Sequence, residues 1–167
     1  SGATHFVKPE EGGLERDPET IFSHRMLGVS DEELMQNAVT MRVATQRDES
    51  QLTVTVTITN DQTGHHVPTD SPLRHLILLV EVTDPNGDSL TLVDGPTVPS
   101  WGGLSEEYRE VAPDLVARDY AGQPGTAYAK ILQELWTEVS PSGAYWNPTR
   151  ILSDNRIPAM ESDTTTY

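Results

Sequence analysis

Residues 52–59 place an apolar residue at every second position and a threonine at each position between, in the order Leu-Thr-Val-Thr-Val-Thr-Ile-Thr. Side chains of a β-strand point alternately to opposite faces of its sheet, so this is the period of a strand with one buried face and one solvated face. The stretch therefore predicts a β-strand, and we interpret the rest of the chain around it.

Two other stretches predict strands that accompany it. Residues 39–45 also alternate, and the polar residues 47–50 separate them from residues 52–59, which is typical of a β-hairpin. Residues 76–82 are apolar on both faces through their first half. A strand of that kind is covered on both sides, so we expect it to be the central strand of its sheet.

The turn after this apolar stretch contains Asn86 and Gly87, a pair that favours a two-residue hairpin turn. It predicts that residues 89–93 form a strand that pairs with residues 76–82. The oxygen-rich turn at 84–88 is also compatible with a calcium loop, but the hairpin accounts for its composition and we prefer it.

The N-terminal part of the chain has a different character. Residues 1–29 mix proline, glycine and charge without periodicity, which indicates an extended arm. Ser30 then precedes Glu33 by three positions, the spacing of a helix capping box. It predicts a short helix near residues 31–38, followed by a single domain at residues 30–167.

The second half of the chain gives weaker patterns. Residues 94–125 are rich in proline and glycine, as expected of a long segment that crosses between the sheets of a Greek-key sandwich. Residues 126–139 have helix propensity but also alternate on one strand face, and we interpret them as strand. Residues 140–148 predict a loop, and residues 164–167 favour β-structure.

The charge of the chain excludes several classes of partner. Twenty-six acidic residues against eleven basic ones give a formal net charge of −15. Nucleic acids and anionic membranes attract positive charge, so neither is an expected partner. The acidic surface suits solubility, which we prefer, or a cationic partner. No apolar run is long enough to span a bilayer, and the first residues do not resemble a signal peptide, so we expect a mature product or an excised piece.

The chain contains no cysteine. Disulfides, thiolate nucleophiles, cysteine-rich zinc sites and covalent attachment of haem through Cys-x-x-Cys-His are therefore excluded within these residues. The histidines become the main candidates for any site, above all those in the turn-rich segment 64–69.

Several short motifs, taken together, resemble one family. Asn60, the segment Gly-His-His-Val-Pro-Thr at 64–69 and Pro-Leu-Arg at 72–74 are similar to the haem-free, immunoglobulin-like β-domain on the C-terminal side of some multihaem c-type cytochromes. Residues 22–28 resemble the Ser-His-x-Phe-x-Gly stretch that follows the last haem motif there, and residues 153–158 resemble a late Asp-x-Arg-Ile-Pro motif.

The resemblance covers most of residues 21–162 and has implications for fold and function. It implies a mainly β fold, an antiparallel immunoglobulin-like sandwich of about seven strands with an extended N-terminal arm and one short helix. It implies a non-catalytic accessory and assembly domain of an electron-transfer protein, located in the periplasm or outside the cell. The haem c would belong to an upstream segment or a partner chain.

The chain departs from the family in lacking Cys-x-x-Cys-His and in ending soon after the Asp-x-Arg-Ile-Pro motif, where one or two more strands are expected. We expect an open sheet edge that is filled by a strand from elsewhere. The arm is expected to dock on a haem-bearing domain or subunit, through strand or arm exchange in an oligomer. Its apolar anchors are Phe6, Ile21, Phe22, Met26 and Leu27.

Two histidines are candidates for haem binding. His24 matches the family position from which an arm supplies an axial imidazole to haem iron, and the alternative is a histidine that is solvated or packed on the β-domain. His65 is a weaker candidate, because the Gly-His position suits a structural histidine hydrogen-bonded to loop backbone.

An independent metal site is the main alternative. A copper or zinc ion held by His65 or His66 with His75 and Asp70 would use ligands that both metals accept. His65 and His66 are adjacent, so on extended backbone they point to opposite sides and do not easily bind the same ion.

An enzyme is not expected. The chain has no Gly-x-Ser-x-Gly nucleophile motif and no glycine-rich phosphate loop. Its tyrosines and tryptophans lie mostly in the loop-rich second half, where they either pack locally, which we prefer, or form a contact surface for sugar or protein. A carbohydrate-binding module is therefore a further alternative.

Overall fold

In a computed structural model, the structure describes residues 9–14, 17, 28–69, 71–104, 110–111 and 119–167. The chain divides into two compact units, Ser1–Met35 and Gln36–Tyr167. Within the described residues it is mainly β, with antiparallel strand pairing and one short α-helix. The predicted division into an arm at 1–29 and a domain at 30–167 stays a prediction.

The helix α1 spans Glu32–Gln36 and is shorter than predicted. Its N-cap is Asp31, whose Oδ1 accepts a hydrogen bond of 3.1 Å from the Leu34 amide, and not Ser30. A short 3₁₀ turn at Gly28–Ser30 precedes it, so the serine is already part of a turn. An aspartate at the N-cap satisfies one of the free amides of the first turn and interacts favourably with the helix dipole.

The strand that the threonine pattern predicts is the centre of a three-stranded sheet. β1 (Thr40–Arg47) and β2 (Leu52–Thr59) form the expected hairpin, and β7 (Ser162–Thr166) pairs with the other side of β2. Asp48 closes the turn between β1 and β2, because its Oδ1 accepts hydrogen bonds from the amides of Ser50 and Gln51 at 2.8 and 2.7 Å. Both neighbours of β2 are antiparallel to it.

The two faces of β2 differ as predicted. Val54, Val56 and Ile58 are buried on one face. On the other face the threonine hydroxyls bond to β7, as in the 2.9 Å contact between Thr57 and Thr164. Burial of a valine or isoleucine side chain is worth about 1.5–3 kcal/mol, so the apolar face supplies the driving force and the threonine face fixes the register.

The apolar stretch at 76–82 departs from its prediction as a long central strand. β3 covers only Leu76–Leu79 and pairs with β4 (Gly125–Tyr128) in a two-stranded sheet. Beyond β3 the Val80 amide bonds to the Pro124 carbonyl, and since proline has no amide the ladder cannot continue there in both directions. Residues 89–93 do not form the predicted strand. In place of a hairpin ladder there is an isolated antiparallel bridge between Thr83 and Ser89.

A second two-stranded sheet follows in the chain. β5 (Lys130–Glu134) pairs with β6 (Thr149–Asp154), and residues between them form a loop, as predicted for 140–148. The interpretation of residues 126–139 as strand is confirmed for β4 and β5 and is wrong after Glu134, where the chain turns.

The core lies between the three-stranded sheet and the two-stranded sheet of β3 and β4. Val54, Val56, Ile58, Tyr128 and Ile157 form one buried cluster. Partly buried side chains of the 76–82 stretch pack against this cluster, namely Leu76, Leu78, Val80 and Val82. The apolar face of β2 is thus covered by β3 and β4 and by the continuation of β3.

The C-terminal strand alters one expectation about the sheet edges. We expected the chain to lack one or two strands after the 153–158 motif. One strand, β7, does follow that motif, and it pairs with β2 from Thr55 to Thr59. β1 and β7 are therefore the edges of this sheet. Entry of a strand from elsewhere stays a prediction.

Candidate functional site

Asn60 lies at the centre of a buried polar junction. Its side chain is fully buried, and its Nδ2 donates to the carbonyls of His65 and Ile157 at 2.7 and 2.9 Å. Its Oδ1 accepts a 2.6 Å hydrogen bond from the Thr63 hydroxyl. Every hydrogen-bonding position of the amide except one acceptor lone pair is thus used, which is what a buried amide requires.

The junction joins two distant parts of the chain. The Val67 and Ile157 backbones exchange hydrogen bonds of 2.9 Å each, and the Met160 amide donates to the Asn60 carbonyl at 2.7 Å. The loop after β2 and the segment before β7 are therefore held together from both sides of Asn60. The motif pieces at Asn60, 64–69 and 153–158, which suggested the resemblance, meet at this place.

His65 and His66 are exposed on the outside of this junction. Nδ1 of His65 lies 3.0 Å from the His66 carbonyl and donates to it, so the loop backbone orients the ring. A histidine whose Nδ1 is held by a carbonyl has the tautomer that presents Nε2 as an acceptor, the form that binds metals and haem iron. His65 thus fits the structural interpretation, and its role as a ligand stays a prediction.

His75 lies apart, at the start of β3. Its ring packs against Trp101, with ring centroids 5.0 Å apart. Its Nε2 is buried without a hydrogen-bond partner among the described residues, and burial lowers the pKa of this histidine. The neutral ring is therefore favoured, in an environment that is apolar rather than ligand-rich.

The alternative metal site is not assembled by the part of the chain that the structure describes. No group of three or more histidine, cysteine, aspartate or glutamate side chains there is close enough to hold an ion. Asp70, the predicted carboxylate ligand, and His24, the predicted axial ligand, both lie outside the described residues, as do the arm anchors Phe6, Ile21, Phe22, Met26 and Leu27.

One side of β1 is apolar and uncovered. Met41 is directly opposite Ile58 and Val43 is opposite Val56, so both side chains point to the face of the sheet that carries the core. Yet Met41 is 58% exposed and Val43 57% exposed, whereas Ile58 and Val56 are buried. The core-facing side of the sheet therefore extends beyond what covers it.

A second exposed surface lies at the far end of the β5–β6 hairpin. Trp136, Tyr145 and Trp146 are 76%, 92% and 71% exposed, and the last two rings contact edge to face. The preference for local packing of the aromatic residues holds for Tyr128, in the core, and for Trp101, against His75, but is wrong for these three. We call Trp136, Tyr145 and Trp146 the aromatic platform.

Glu134 holds the loop that carries the platform. Its carboxylate accepts hydrogen bonds from Thr137, Ser142 and Asn147 at 2.7, 2.9 and 3.0 Å. The bonds from Thr137 and Ser142 lower the pKa of Glu134, because they favour its charged form. The exposed rings therefore belong to an organised turn.

An open groove of about 420 Å³ lies beside the start of β2. Its described lining residues include no histidine, lysine or arginine. They combine apolar side chains, namely Leu52, Val54, Val80, Val82, Leu90 and Val93, with polar ones that include Gln51, Asp94 and Tyr167.

Comparison of the chain with protein-family models, with curated proteins and with solved structures gives no match. None of the helices in the described ranges combines the length and apolar character that crossing a bilayer requires.

Proposed function

We propose that this chain is a non-catalytic accessory domain that assembles the haem-bearing part of a multihaem electron-transfer protein, outside the cytoplasm. The observation that carries the assembly role is the uncovered apolar side of β1. Met41 and Val43 continue the core-facing side of the sheet and remain more than half exposed. Contiguous exposed apolar surface on a sheet is typical of a face that binds another protein.

The connection to haem rests on the resemblance. Its motif pieces are separated by about ninety residues yet converge on one buried amide, Asn60, through the carbonyls of His65 and Ile157. This convergence gives a structural reason for the presence in one sequence of Asn60, the Gly-His segment at 64–65 and the Arg-Ile-Pro segment at 156–158. It supports a common architecture, and we propose that the packing of β3 against β2 is that of the two layers of an immunoglobulin-like sandwich.

In this proposal any haem c is attached to an upstream segment or to a partner chain, because the chain itself contains no cysteine. His24 is the proposed axial ligand from the arm, and His65 is the weaker candidate. The Nδ1 contact of His65 with the His66 carbonyl fits an imidazole that presents Nε2 outward.

Haem content tests the haem connection. The protein would be isolated from its native cells with a tag after Tyr167, and haem would be measured by its absorption in alkaline pyridine. We expect covalent haem in a segment upstream of these residues or in a subunit that purifies with them at fixed stoichiometry. If the intact assembly is isolated and contains no haem, the proposal is contradicted. If haem is found, His24→Ala is expected to change the low-spin spectrum, with His65→Ala as the comparison.

The aromatic platform favours one alternative function, carbohydrate binding. Trp136, Tyr145 and Trp146 are largely exposed, and aromatic rings with polar neighbours such as Asn147 suit the mixed apolar and polar faces of sugars. Titration with soluble glycans would then quench tryptophan fluorescence in the wild type and in Trp101→Phe but not in Trp136→Ala. Equal, non-saturating responses in all three contradict this alternative.

A further inference from the structure

β1 is the less protected of the two edges of the three-stranded sheet. It spans eight residues, Thr40–Arg47, in unbroken register with β2, and it contains no proline. The other edge, β7, has five residues, and its Asp163 places a charge on the core-facing side of the sheet. Proteins commonly protect sheet edges by short strands, bulges, prolines or inward-pointing charges, so β1 is the edge that is open to a further strand.

The hydrogen bonds of β2 show which backbone groups of β1 face the free edge. Residue pairs of an antiparallel ladder alternate between hydrogen-bonded and non-hydrogen-bonded. The Val54 and Tyr167 backbones exchange two hydrogen bonds of 2.9 Å each, so Val54 uses its backbone groups toward β7 and its β1 partner, Thr45, faces away from β2. By this alternation, the outward-facing backbone groups are those of Met41, Val43, Thr45 and Arg47, whereas those of Arg42 and Ala44 bond to β2.

The outward-facing backbone groups and the exposed apolar side chains belong to the same residues. Met41 and Val43 lie on the core-facing side of the sheet, where both are more than half exposed. In an added antiparallel strand, the residues paired with Met41 and Val43 have their side chains on this same side. Apolar residues at those two positions would cover Met41 and Val43 and extend the apolar side of the sheet.

The opposite side of the sheet carries one charged residue within its three strands, Arg42. The other strand residues on this side are threonine, serine, alanine and glutamine. A residue paired with Arg42 in an added strand has its Cβ about 4.5–5.5 Å from that of Arg42, so a carboxylate there would form an ion pair.

The local charge of Arg42 outweighs the net charge of −15 at this edge. Charges further away than about 8 Å are largely screened at physiological ionic strength, so a partner strand responds mainly to its nearest neighbours. Arg47, at the end of β1, is followed by the acidic turn residues Asp48 and Glu49. Arg42 is therefore the charge that a partner meets along the strand.

We propose that β1 binds its partner by strand addition, and that the added segment has an acidic residue opposite Arg42 between two apolar residues opposite Met41 and Val43. Backbone hydrogen bonds supply affinity in this mode, and alternate side chains supply specificity. A second copy of this chain does not fit, because its own β1 contains two arginines and no acidic residue. The inference rests on the proposed function, in which β1 binds the partner, and adds the backbone groups and residue types involved.

Two synthetic peptides test the proposal on the full chain. Both are blocked at their ends and as long as β1, with valine alternating with glutamate in one and with lysine in the other. We expect the glutamate peptide to cause saturable shifts of the Met41, Val43 and Thr45 amides, with half-saturation at a concentration about threefold lower than for the lysine peptide. Near saturation, hydrogen exchange of these amides should slow about tenfold.

Three results of the peptide titration overturn the proposal. The first is the absence of saturable binding up to millimolar concentration. The second is binding that shifts the methyl groups of Met41 and Val43 without slowing exchange of their amides, which indicates docking on the face of the sheet. The third is tighter binding of the lysine peptide, which indicates attraction to the net charge.

Proline variants separate the two sets of amides in β1. Thr45→Pro removes an outward-facing amide and no bond to β2, so it should fold and lose saturable binding. Thr45→Val keeps the amide and should bind like the wild type, whereas Ala44→Pro removes an amide bonded to β2 and should lower the melting temperature. Equal binding by folded Thr45→Pro and Thr45→Val overturns the proposal. If Thr45→Pro does not fold, hydrogen exchange of the wild type decides the point.

Arginine variants test the acidic position of the added strand. Arg42→Gln should abolish the preference for the glutamate peptide, because it removes the charge opposite the glutamate. Arg47→Gln removes the same charge at the end of β1 and should retain most of the preference. An equal loss of preference in the two variants contradicts the assignment of the acidic residue to the position opposite Arg42.

The native assembly separates this inference from the proposed function. If Met41→Lys with Val43→Lys releases the partner but Thr45→Pro does not, strand addition is overturned and the proposed function is retained. If the glutamate peptide adds to β1 but no haem-bearing partner is found, the proposed function is contradicted and strand addition is supported. If the chain alone sediments as a dimer with the Met41, Val43 and Thr45 amides protected, a second copy occupies the edge and the inference is overturned.

Discussion

The hydroxyl of Tyr128 donates a 2.7 Å hydrogen bond to Oδ2 of Asp163, which joins β4 of one sheet to β7 of the other. Tyr128 is buried, and desolvation together with the bond to Asp163 raises the pKa of its hydroxyl. The tyrosine is therefore neutral and acts as a donor. The bond lies directly beside the apolar cluster of β2, where the two sheets meet.

Loss of the acceptor is expected to be more harmful than loss of the donor. Asp163→Ala leaves the buried Tyr128 hydroxyl without its partner and should cost about 1–3 kcal/mol of unfolding free energy. Tyr128→Phe removes the hydroxyl itself, so that no buried donor is left unpaired, and should cost about 0.5–1.5 kcal/mol of unfolding free energy. Urea unfolding measures both. A larger loss in Tyr128→Phe than in Asp163→Ala would contradict the assigned direction of the bond.

The Asn60 junction should be sensitive to the removal of two donors. Asn60→Asp retains the size of the side chain but replaces the amide nitrogen by an oxygen that faces the carbonyls of His65 and Ile157. We expect a loss of at least about 1–3 kcal/mol, measured by urea unfolding at pH 7. Gln46→Glu, which makes the same amide-to-acid change at an exposed position of β1, is the control and should change stability by less than about 0.5 kcal/mol. Equal effects would show that Asn60 is not a structural centre.

Gly125 is required at the start of β4. Its φ is +153°, and an ideal Cβ at this position would overlap the Leu78 carbonyl oxygen, so there is no room for a side chain. Gly125→Ala should therefore destabilise the fold by about 1–3 kcal/mol or more. Gly64→Ala is the control, because no atom lies within 4 Å of its Cβ position. Thermal unfolding of the two variants distinguishes them, and similar melting temperatures would contradict the close approach of β3 and β4.

His75 should make stability fall on mild acidification. Burial lowers its pKa in the folded state below the value near 6.5 of an exposed histidine, so the unfolded chain binds a proton before the folded chain does. The contribution of His75 to the free energy of unfolding is constant above about pH 6.5. It is lost as the pH falls from there through the lower pKa that His75 has in the folded state. His75→Phe should reduce this pH dependence. Urea midpoints between pH 7.5 and 5 test it, and an unchanged slope in His75→Phe contradicts it.

The alternation of buried and exposed residues along β2 could be predicted from the sequence, but the extent of the strands packed against it could not. In β2 the alternation of valine or isoleucine with threonine is a local property, and it correctly indicated both faces and the hairpin with β1. The extent of β3 depends on Pro124 and Gly125, more than forty residues away, which limit the ladder after Leu79. The sequence around Leu79 carries no signal of that limit.

The candidate sites show the same division. Residues 64–69 form a loop, as the concentration of glycine, histidine and proline there predicts, whereas their role as a binding site stays a prediction. The central role of Asn60 was missed, since an asparagine at the end of a strand is equally typical of an exposed turn.

The central claim is that the uncovered side of β1 binds the partner of this domain. Met41→Lys combined with Val43→Lys places two charges on that side, and Ala44→Lys combined with Gln46→Lys places the same charges on the opposite face of the same strand. All four positions are exposed, so both double variants should fold like the wild type in circular dichroism. Only assembly should distinguish them.

Sedimentation of the native assembly, reconstituted with each double variant, measures this directly. We expect Met41→Lys with Val43→Lys to release the domain from its haem-bearing partner, because two buried charges oppose the interface. Ala44→Lys with Gln46→Lys should sediment with the partner like the wild type. Equal retention of both folded variants in the assembly would contradict the claim.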